Sequence, residues 1–317
     1  MPDVIGIGST FVDYFFEADK NFLKEYELHP EDDVLFEEKN ITPQEISNKL
    51  KLLAKSAGGM STNTIAVMSA LGIKTGFYAV VGKDENGKIW KSNLQKVETS
   101  CVELIGEQSV CFCILTSKRR KRLFLSYLNS KDNSFFRKIN YKYLNSAKIV
   151  HVSPFLLDSE KTLFKLSRVL KKINKPQISF SPSLVYCRFG INILKPIFKN
   201  VDILFFNKFE LETLTRQSYV EGSKNLLKFG PKIIVCTLGE NGVLITTGEE
   251  QVTVKTKSVK RIVDSTGAGD AFAAGFLYGI LKEKTVEQSA GIGNEVARKA
   301  LSAFGLSWLN KTFKSVD

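Results

Sequence analysis

Histidine and cysteine are scarce in this sequence, which removes several kinds of catalytic centre from consideration. The 317 residues include two histidines, His29 and His151, too few for a histidine-based triad or a zinc hydrolase to be expected. The cysteines are odd in number and form no C-x-x-C pair, so neither a disulfide framework nor a zinc site is indicated. We expect reduced, mostly buried thiols at all five cysteines: Cys101, Cys111, Cys113, Cys187 and Cys236.

Long apolar runs and targeting signals are missing as well. No run is long enough to span a bilayer, and residues 1–3 lead directly into an apolar segment with no basic n-region or cleavage site. We therefore expect a cytoplasmic protein with no membrane partner. A hydrophobic content of 43% over this length can fill a large core, and we predict one domain over residues 1–317.

The common nucleotide-binding loops are absent or incomplete. No G-x-x-x-x-G-K-[ST] loop occurs anywhere in the chain. Gly6 and Gly8 could open a dinucleotide fingerprint after a strand, but Phe11 stands where the third glycine belongs. A nicotinamide-dependent oxidoreductase is therefore a disfavoured alternative, which a difference spectrum with nicotinamide cofactors would test.

The formal net charge of +12 permits two kinds of partner. Basic residues are spread along the chain, with one run of five at residues 118–122 between two predicted strands. Such a run is usually a solvated turn, although a non-catalytic nucleic-acid-binding protein is an alternative. The electric field of this positive net charge would also steer an anionic substrate toward the protein. We expect no specific nucleic-acid partner.

Apolar, β-rich runs alternate with amphipathic stretches from end to end, a pattern typical of a mainly parallel sheet with helices on both faces. The first strand is predicted at residues 4–8, and Asp13 follows it at the edge where such sheets bind ligands. Position alone favours a solvated loop carboxylate at Asp13. A capping box at Thr42 predicts a helix to about Lys55, and Gly58 and Gly59 precede a helix predicted over residues 64–71.

The polar stretch of residues 263–270 runs into an apolar helical segment near the C-terminal end. Gly267 and Gly269 allow close backbone approach, and the first turn of a helix presents unpaired N–H groups that attract anions. Asp270 lies at the same helix start, where it either caps the helix or takes a proton from a hydroxyl beside the bound anion. A phosphate cradle beside a carboxylate indicates phosphoryl transfer.

This stretch resembles the signature of the ribokinase-like (PfkB) family of small-molecule kinases, D-T-x-G-A-G-D. It departs from the signature at Ser265, which keeps the hydroxyl. Residues 57–63 also resemble the ribose-binding segment of the adenosine-kinase-like branch. The resemblance implies a central parallel sheet between helices with a small β lid, formed by segments of about 14–40 and 101–130.

The resemblance also implies roles for particular residues. The proton acceptor would be Asp270, and the anion hole would be Gly267, Ala268 and Gly269. The substrate would meet Asp13, Gly58, Gly59, Asn63 and a lid arginine, Arg119 or Arg120. The ATP site would include Asn207, Glu210, Thr237, Gly239, Thr266 and Asn294, with Glu210 reaching Mg²⁺ through water and a monovalent cation such as K⁺ beside the signature loop.

We therefore predict an ATP-dependent kinase that phosphorylates a primary hydroxyl of an adenosine-like nucleoside, acting as a monomer or homodimer. A kinase of a free sugar or sugar acid is the alternative within the same class. A nucleoside would need an apolar slot for its base, and the nearest aromatic candidates are Phe15, Phe16, Phe36 and Phe155, each of which could instead belong to the core.

Overall fold

A computed structural model describes residues 1–29, 33–116, 122–128, 136, 139–153 and 160–312. Its strands, in chain order, are β1 (Val4–Ile7), β2 (Phe11–Ala18), β3 (Asp33–Leu35), β4 (Leu52–Gly58), β5 (Thr75–Val81), β6 (Glu98–Leu104), β7 (Val110–Thr116), β8 (Arg122–Tyr127), β9 (Ile149–Val152), β10 (Gln177–Phe180), β11 (Ile203–Asn207), β12 (Ile233–Thr237), β13 (Val243–Thr246) and β14 (Gln251–Val254).

The α-helices of the described residues alternate with these strands. They are α1 (Lys20–Glu25), α2 (Pro43–Lys49), α3 (Met60–Ala70), α4 (Glu85–Asn93), α5 (Tyr141–Leu144), α6 (Glu160–Leu170), α7 (Ser183–Cys187), α8 (Ile191–Phe198), α9 (Lys208–Thr215), α10 (Tyr219–Leu227), α11 (Ala268–Leu281), α12 (Val286–Ala300) and α13 (Ser307–Thr312). Along the described residues, none of the helices combines the length and apolar composition that a bilayer span requires.

The larger sheet has the order β14-β13-β12-β11-β10-β9-β1-β5-β6 among the described strands. From β6 to β12 every pairing is parallel, and β13 and β14 add an antiparallel edge. Alternate residues of one strand enter different cores: Val4 packs on the side of α3, α11 and α12, whereas Ile5 packs on the side of α6, α8 and α10. The mainly parallel sheet between two helical layers is confirmed.

A smaller sheet packs beside it, in the order β3-β8-β7-β2-β4. It corresponds to the predicted lid, but its segments differ from the prediction. The first segment covers residues 11–58. The second covers residues 110–127 and begins later than predicted, because β6 pairs with β5 in the large sheet. The single-domain assignment stays a prediction.

Three local predictions near the lid are wrong. Helix α2 ends at Lys49 instead of continuing to Lys55, because the next residues form β4, which pairs antiparallel with β2. Asp13 lies on strand β2 instead of in a loop, and helix α3 begins at Met60 instead of residue 64. Strands β2 and β4 pair with each other although they are distant in sequence, so the local sequence pattern gives little indication that either segment is a strand.

Candidate active site

A cavity of about 380 Å³ lies between the two sheets. Its floor is the edge of the large sheet where parallel strands β1, β10, β11 and β12 end, the usual ligand edge of such sheets. Ser9, Ser181, Asn207 and Thr237 follow or end these strands and line the cavity. Its roof is one face of the small sheet, with side chains of β2, β3, β7 and β8.

The N-terminus of α11 opens into this cavity. Gly267 is the residue before the helix and has a φ of 75°, a left-handed conformation that favours glycine. A side chain at Gly269 would meet no atom within 4 Å, so the space in front of this turn is open. The Ala268 N–H donates to the Ser265 carbonyl at 3.3 Å, which leaves the amides of Gly267 and Gly269 as the better-placed donors of the predicted anion hole.

Asp270 lies at the third position of α11 and lines the cavity without capping the helix. Its Oδ2 accepts a hydrogen bond of 2.8 Å from the side-chain amide of Asn63. Burial raises the pKa of Asp270 to about 7, the Asn63 hydrogen bond opposes this rise, and the negative charge of Glu210 adds to it. A carboxyl group with a pKa near neutrality is suited to accept a proton at physiological pH.

Asn63 therefore contacts the candidate base directly, which was not predicted. It lies in the first turn of α3, where its backbone N–H donates to the Gly59 carbonyl at 2.9 Å. Gly59 has a φ of 96°, and a side chain there would approach the Ser9 carbonyl oxygen to 2.5 Å. The glycine pair thus brings the start of α3 against β1, which places Asn63 beside α11.

Asp13 is buried on β2, so the solvated-loop interpretation is wrong. Its carboxylate lines the cavity, and a side chain on Gly58 of the neighbouring β4 would lie 2.2 Å from it. The absence of a side chain at Gly58 therefore leaves the space that the Asp13 carboxylate occupies. Burial raises the pKa of Asp13 to about 8, and the negative charges of Asp264 and Asp270 raise it further.

The cation among the described residues that line the cavity is Arg122, at the start of β8. Its guanidinium donates to the Ser265 hydroxyl at 2.5 Å and lies 3.6 Å from the Asp264 carboxylate. Asp264 Oδ1 also accepts hydrogen bonds from the backbone N–H and the hydroxyl of Thr266, at 2.9 and 2.8 Å. Arg119 and Arg120, the predicted lid arginines, lie outside the described residues.

Asn207 and Glu210 form a reciprocal capping box at the start of α9. The Asn207 side chain accepts from the Glu210 N–H, and the Glu210 carboxylate accepts from the Asn207 N–H, both at 2.8 Å. Partial burial raises the pKa of Glu210 to about 7, against hydrogen bonds from the backbone N–H groups of Asn207 and Leu184. Both residues line the cavity, so the motif caps the helix and also places oxygen atoms at the cavity wall.

The remaining predicted ATP residues divide into two groups. Thr237 and Thr266 line the cavity. Gly239 and Asn294 are not among the described residues that line it. The Asn294 amide donates to the carbonyls of Val254 and Lys255 at 3.4 and 3.3 Å, so it fastens α12 to the end of β14.

The aromatic residues of the cavity also differ from those predicted. Phe15 packs on Phe304, and Phe16 and Phe36 both pack on Phe112, so all three belong to the core. Phe155 lies outside the described residues. The described aromatic side chains that line the cavity are Phe11, Phe124, Phe205 and Phe206.

Sequence reasoning also missed Arg122, Cys111 and Cys113, all of which line the cavity. The available signal was the two-residue period of strands β7 and β8, which places every second side chain on the cavity face. The orientation of that face depends on how the small sheet packs, which the local sequence does not specify.

A helix N-terminus next to a near-neutral carboxyl group, at the ligand edge of a parallel sheet, is the geometry of a phosphotransferase that acts on a hydroxyl group. Comparisons of this chain with known proteins agree with this class of enzyme. The model for the pfkB family carbohydrate kinases matches residues 31–311. The chain therefore belongs to the PfkB family and is a sugar or nucleoside kinase.

Individual relatives share most of their length with this chain. An uncharacterized sugar kinase of Archaeoglobus fulgidus is 32% identical over 75% of this chain and 95% of its own. A nucleoside kinase of Methanocaldococcus jannaschii is 24% identical over 96% of this chain and 92% of its own. These kinase relatives imply ATP and Mg²⁺ as cofactors, and the kinase class excludes the oxidoreductase alternative.

Solved structures confirm the ribokinase-like fold. Adenosine kinase from Sinorhizobium meliloti superposes with a TM-score of 0.80 at 20% identity, covering 99% of this chain and 98% of that chain. Arabidopsis thaliana ribokinase, solved with ribose and ATP, gives a TM-score of 0.72 at 19% identity, covering 99% of both chains.

Proposed function

We propose that this kinase transfers the γ-phosphate of ATP to a primary hydroxyl of an adenosine-like nucleoside, with Asp270 as the general base. The observation that carries the proposal is the Asp270 carboxyl group at the open N-terminus of α11, with a pKa of about 7 and its orientation held by Asn63. In this proposal Asn63 positions the Asp270 carboxyl group, whereas the sequence predicted that Asn63 binds the substrate.

Each step is assigned to residues of the cavity. Asp270 accepts the proton of the acceptor hydroxyl as that oxygen attacks phosphorus. The N–H groups of Gly267 and Gly269 stabilise the negative charge that develops on the transferred group. Arg122 lies on the Ser265 side of the same loop and supplies the positive charge that the prediction gave to Arg119 or Arg120. Asp13, next to Gly58 and Gly59, orients the acceptor.

The donor set of the cavity suits a magnesium nucleotide. Magnesium prefers oxygen ligands and keeps several waters, so carboxylates commonly reach it through water. The Glu210 carboxylate already accepts two backbone N–H groups, which leaves its outer lone pairs for a water-mediated contact. Bound magnesium would offset phosphate charge, while Asn207, Thr237, Thr266 and, at the edge of the loop after β12, Gly239 would hold the phosphates.

Asp264 supports a monovalent cation site beside the signature loop. Its Oδ2 is buried and has no hydrogen-bond partner among the described residues, whereas its Oδ1 has two bonds to Thr266. A cation such as K⁺ at Oδ2 would satisfy this oxygen. Arg122, 3.6 Å away on the Oδ1 side, already offsets part of the charge.

Aromatic lining favours a nucleoside as the acceptor. Phe11 and Phe124 from the small sheet and Phe205 and Phe206 from the large sheet provide apolar faces against which a base can pack. Relatives named cytidine kinase, nucleoside kinase and adenosine kinase support this choice. A free sugar is the second candidate, since the relative at 32% identity is named a sugar kinase.

An ADP-release assay of the full chain with nucleosides, ribose, fructose, fructose phosphates and 2-keto-3-deoxygluconate tests the proposal. We expect the highest kcat/KM for a nucleoside; a faster free sugar would overturn the nucleoside assignment and leave the kinase intact. With the best acceptor, Asp270→Asn should lose about 10²–10⁴-fold in turnover, the usual contribution of a general base. Near-normal turnover in a folded variant would show that Asp270 is not the base.

A further inference from the structure

Two cysteines and an aspartate converge on the roof of the cavity. Cys111 and Cys113 are two residues apart on β7, so both side chains are on the same face of the small sheet. Strand β2 runs parallel to β7, with Asp13 directly opposite Cys111 in the register. All three residues line the cavity, and the strand places the two cysteines of the C-x-C sequence side by side.

The three groups are close enough to share one ion. Cys111 Sγ, Cys113 Sγ and an Asp13 carboxylate oxygen all lie within 4.8 Å of one another. Zinc–sulfur bonds of about 2.3 Å and zinc–oxygen bonds of about 2.0–2.2 Å separate neighbouring tetrahedral ligands by roughly 3.5–3.8 Å. The side chains would therefore close by about 1.0–1.3 Å at most, a change that rotamer adjustment can provide.

The Asp13 carboxylate needs a partner that the described residues do not provide. It is 6% exposed, lines the cavity, and has no hydrogen bond or ion pair to any described residue. The carboxylates of Asp264 and Asp270 both act on it electrostatically. A buried carboxylate without a partner, in a negative environment, favours the binding of a cation.

We propose that Asp13, Cys111 and Cys113 form a binding site for a soft divalent cation of the Zn²⁺ type inside the kinase cavity. Thiolate ligands select zinc over magnesium, so the magnesium that accompanies ATP does not compete for this site. Three protein ligands leave a fourth position open toward the cavity for water. A disulfide is less suited to the pair, because two residues along a strand place the Cα atoms about 6.6 Å apart, near the upper limit for a disulfide.

Occupancy would block the acceptor. This part rests on the proposed function, in which Asp13 orients the acceptor hydroxyls, because a metal-bound Asp13 is no longer available to them. We expect Zn²⁺ to inhibit competitively with the acceptor and not with ATP. Metal binding itself does not depend on that assignment, so the two are measured separately.

Metal binding is measured on the full chain with thiols kept reduced and Mg²⁺ present. Co²⁺ should give a thiolate-to-metal charge-transfer band at one equivalent, and Zn²⁺ should displace it and compete with a chromophoric chelator. Cys111→Ser should weaken the band, because one of the two thiolate ligands is lost, and it should weaken Zn²⁺ binding by more than the about 10–100-fold that loss of an outer-shell partner costs. Cys101→Ser is the matched control, a half-buried thiol on β6 outside this cavity, and it should change neither signal nor activity.

Absence of the cobalt band in the wild-type chain, or a band of unchanged intensity in Cys111→Ser, would overturn the metal site. Circular dichroism checks the fold of each variant. If Cys113→Ser does not fold because Cys113 is buried, Cys111→Ser and Asp13→Asn still decide the question. If zinc binds as expected but inhibits without competing with the acceptor, the site stands, and the role of Asp13 in acceptor binding is wrong.

Discussion

Replacing Asn63 by alanine should move the acidic limb of the pH–rate profile. The Asn63 amide donates to Asp270 Oδ2 at 2.8 Å and holds the pKa of that carboxyl group at about 7, against the rise that burial causes. A hydrogen bond to a charged group contributes about 1.5–3 kcal/mol. One pKa unit corresponds to about 1.36 kcal/mol, so loss of the Asn63 hydrogen bond should raise the pKa of Asp270 by about 1–2 units.

The sign of the effect follows from the role of the base. Asp270 must be ionised to accept a proton, so activity increases with pH through its pKa. In Asn63→Ala this increase should be centred at about pH 8–9, with a loss at pH 7 of roughly 5–50-fold that shrinks at higher pH. The profile of kcat/KM for the acceptor is the appropriate measurement, because it reports the free enzyme.

Two observations would decide between positioning and substrate binding. Asp270→Asn serves as the control, since its residual activity should lack the acidic limb. If Asn63→Ala lowers kcat/KM by the same factor at every pH, Asn63 does not act through the ionisation of Asp270. The prediction that Asn63 binds substrate hydroxyls directly would then be the better explanation.

Three further substitutions test other parts of the site. Arg122→Ala should lower kcat by about 10²–10³-fold, the usual effect of removing a charge-stabilising donor, with partial recovery in Arg122→Lys; unchanged steady-state kinetics would return the role to residues 119 and 120. Gly58→Ala should displace Asp13 and so raise KM for the acceptor, while KM for ATP stays the same. The control is Gly248→Ala, whose side chain would meet no atom within 4 Å and should change neither KM value. Asn294→Ala should lower the melting temperature because two hydrogen bonds to Val254 and Lys255 are lost; a raised KM for ATP with normal stability would favour an ATP-site role.

The sequence by itself determined the large sheet and the signature loop. Buried strands separated by amphipathic helices specify a parallel sheet through local periodicity. The residues of the signature loop are contiguous, so the helix start, the glycines and Asp270 are positioned by local backbone geometry. The capping box at Asn207 and Glu210 is local for the same reason.

Only the tertiary structure decided the roof of the cavity. Strands β2 and β4 depend on pairing with distant segments, so Asp13 became buried and Gly58 came to lie against it. Asn63 meets Asp270 across 207 positions of sequence, and Arg122 meets Ser265 across 143. Such contacts arise when two sheets and two helices pack together, and the free energy that selects them comes from burial over the whole interface. Local patterns therefore identified Asp270 and the glycines of the signature loop, while packing added Arg122, Cys111 and Cys113 to the cavity and determined which groups touch.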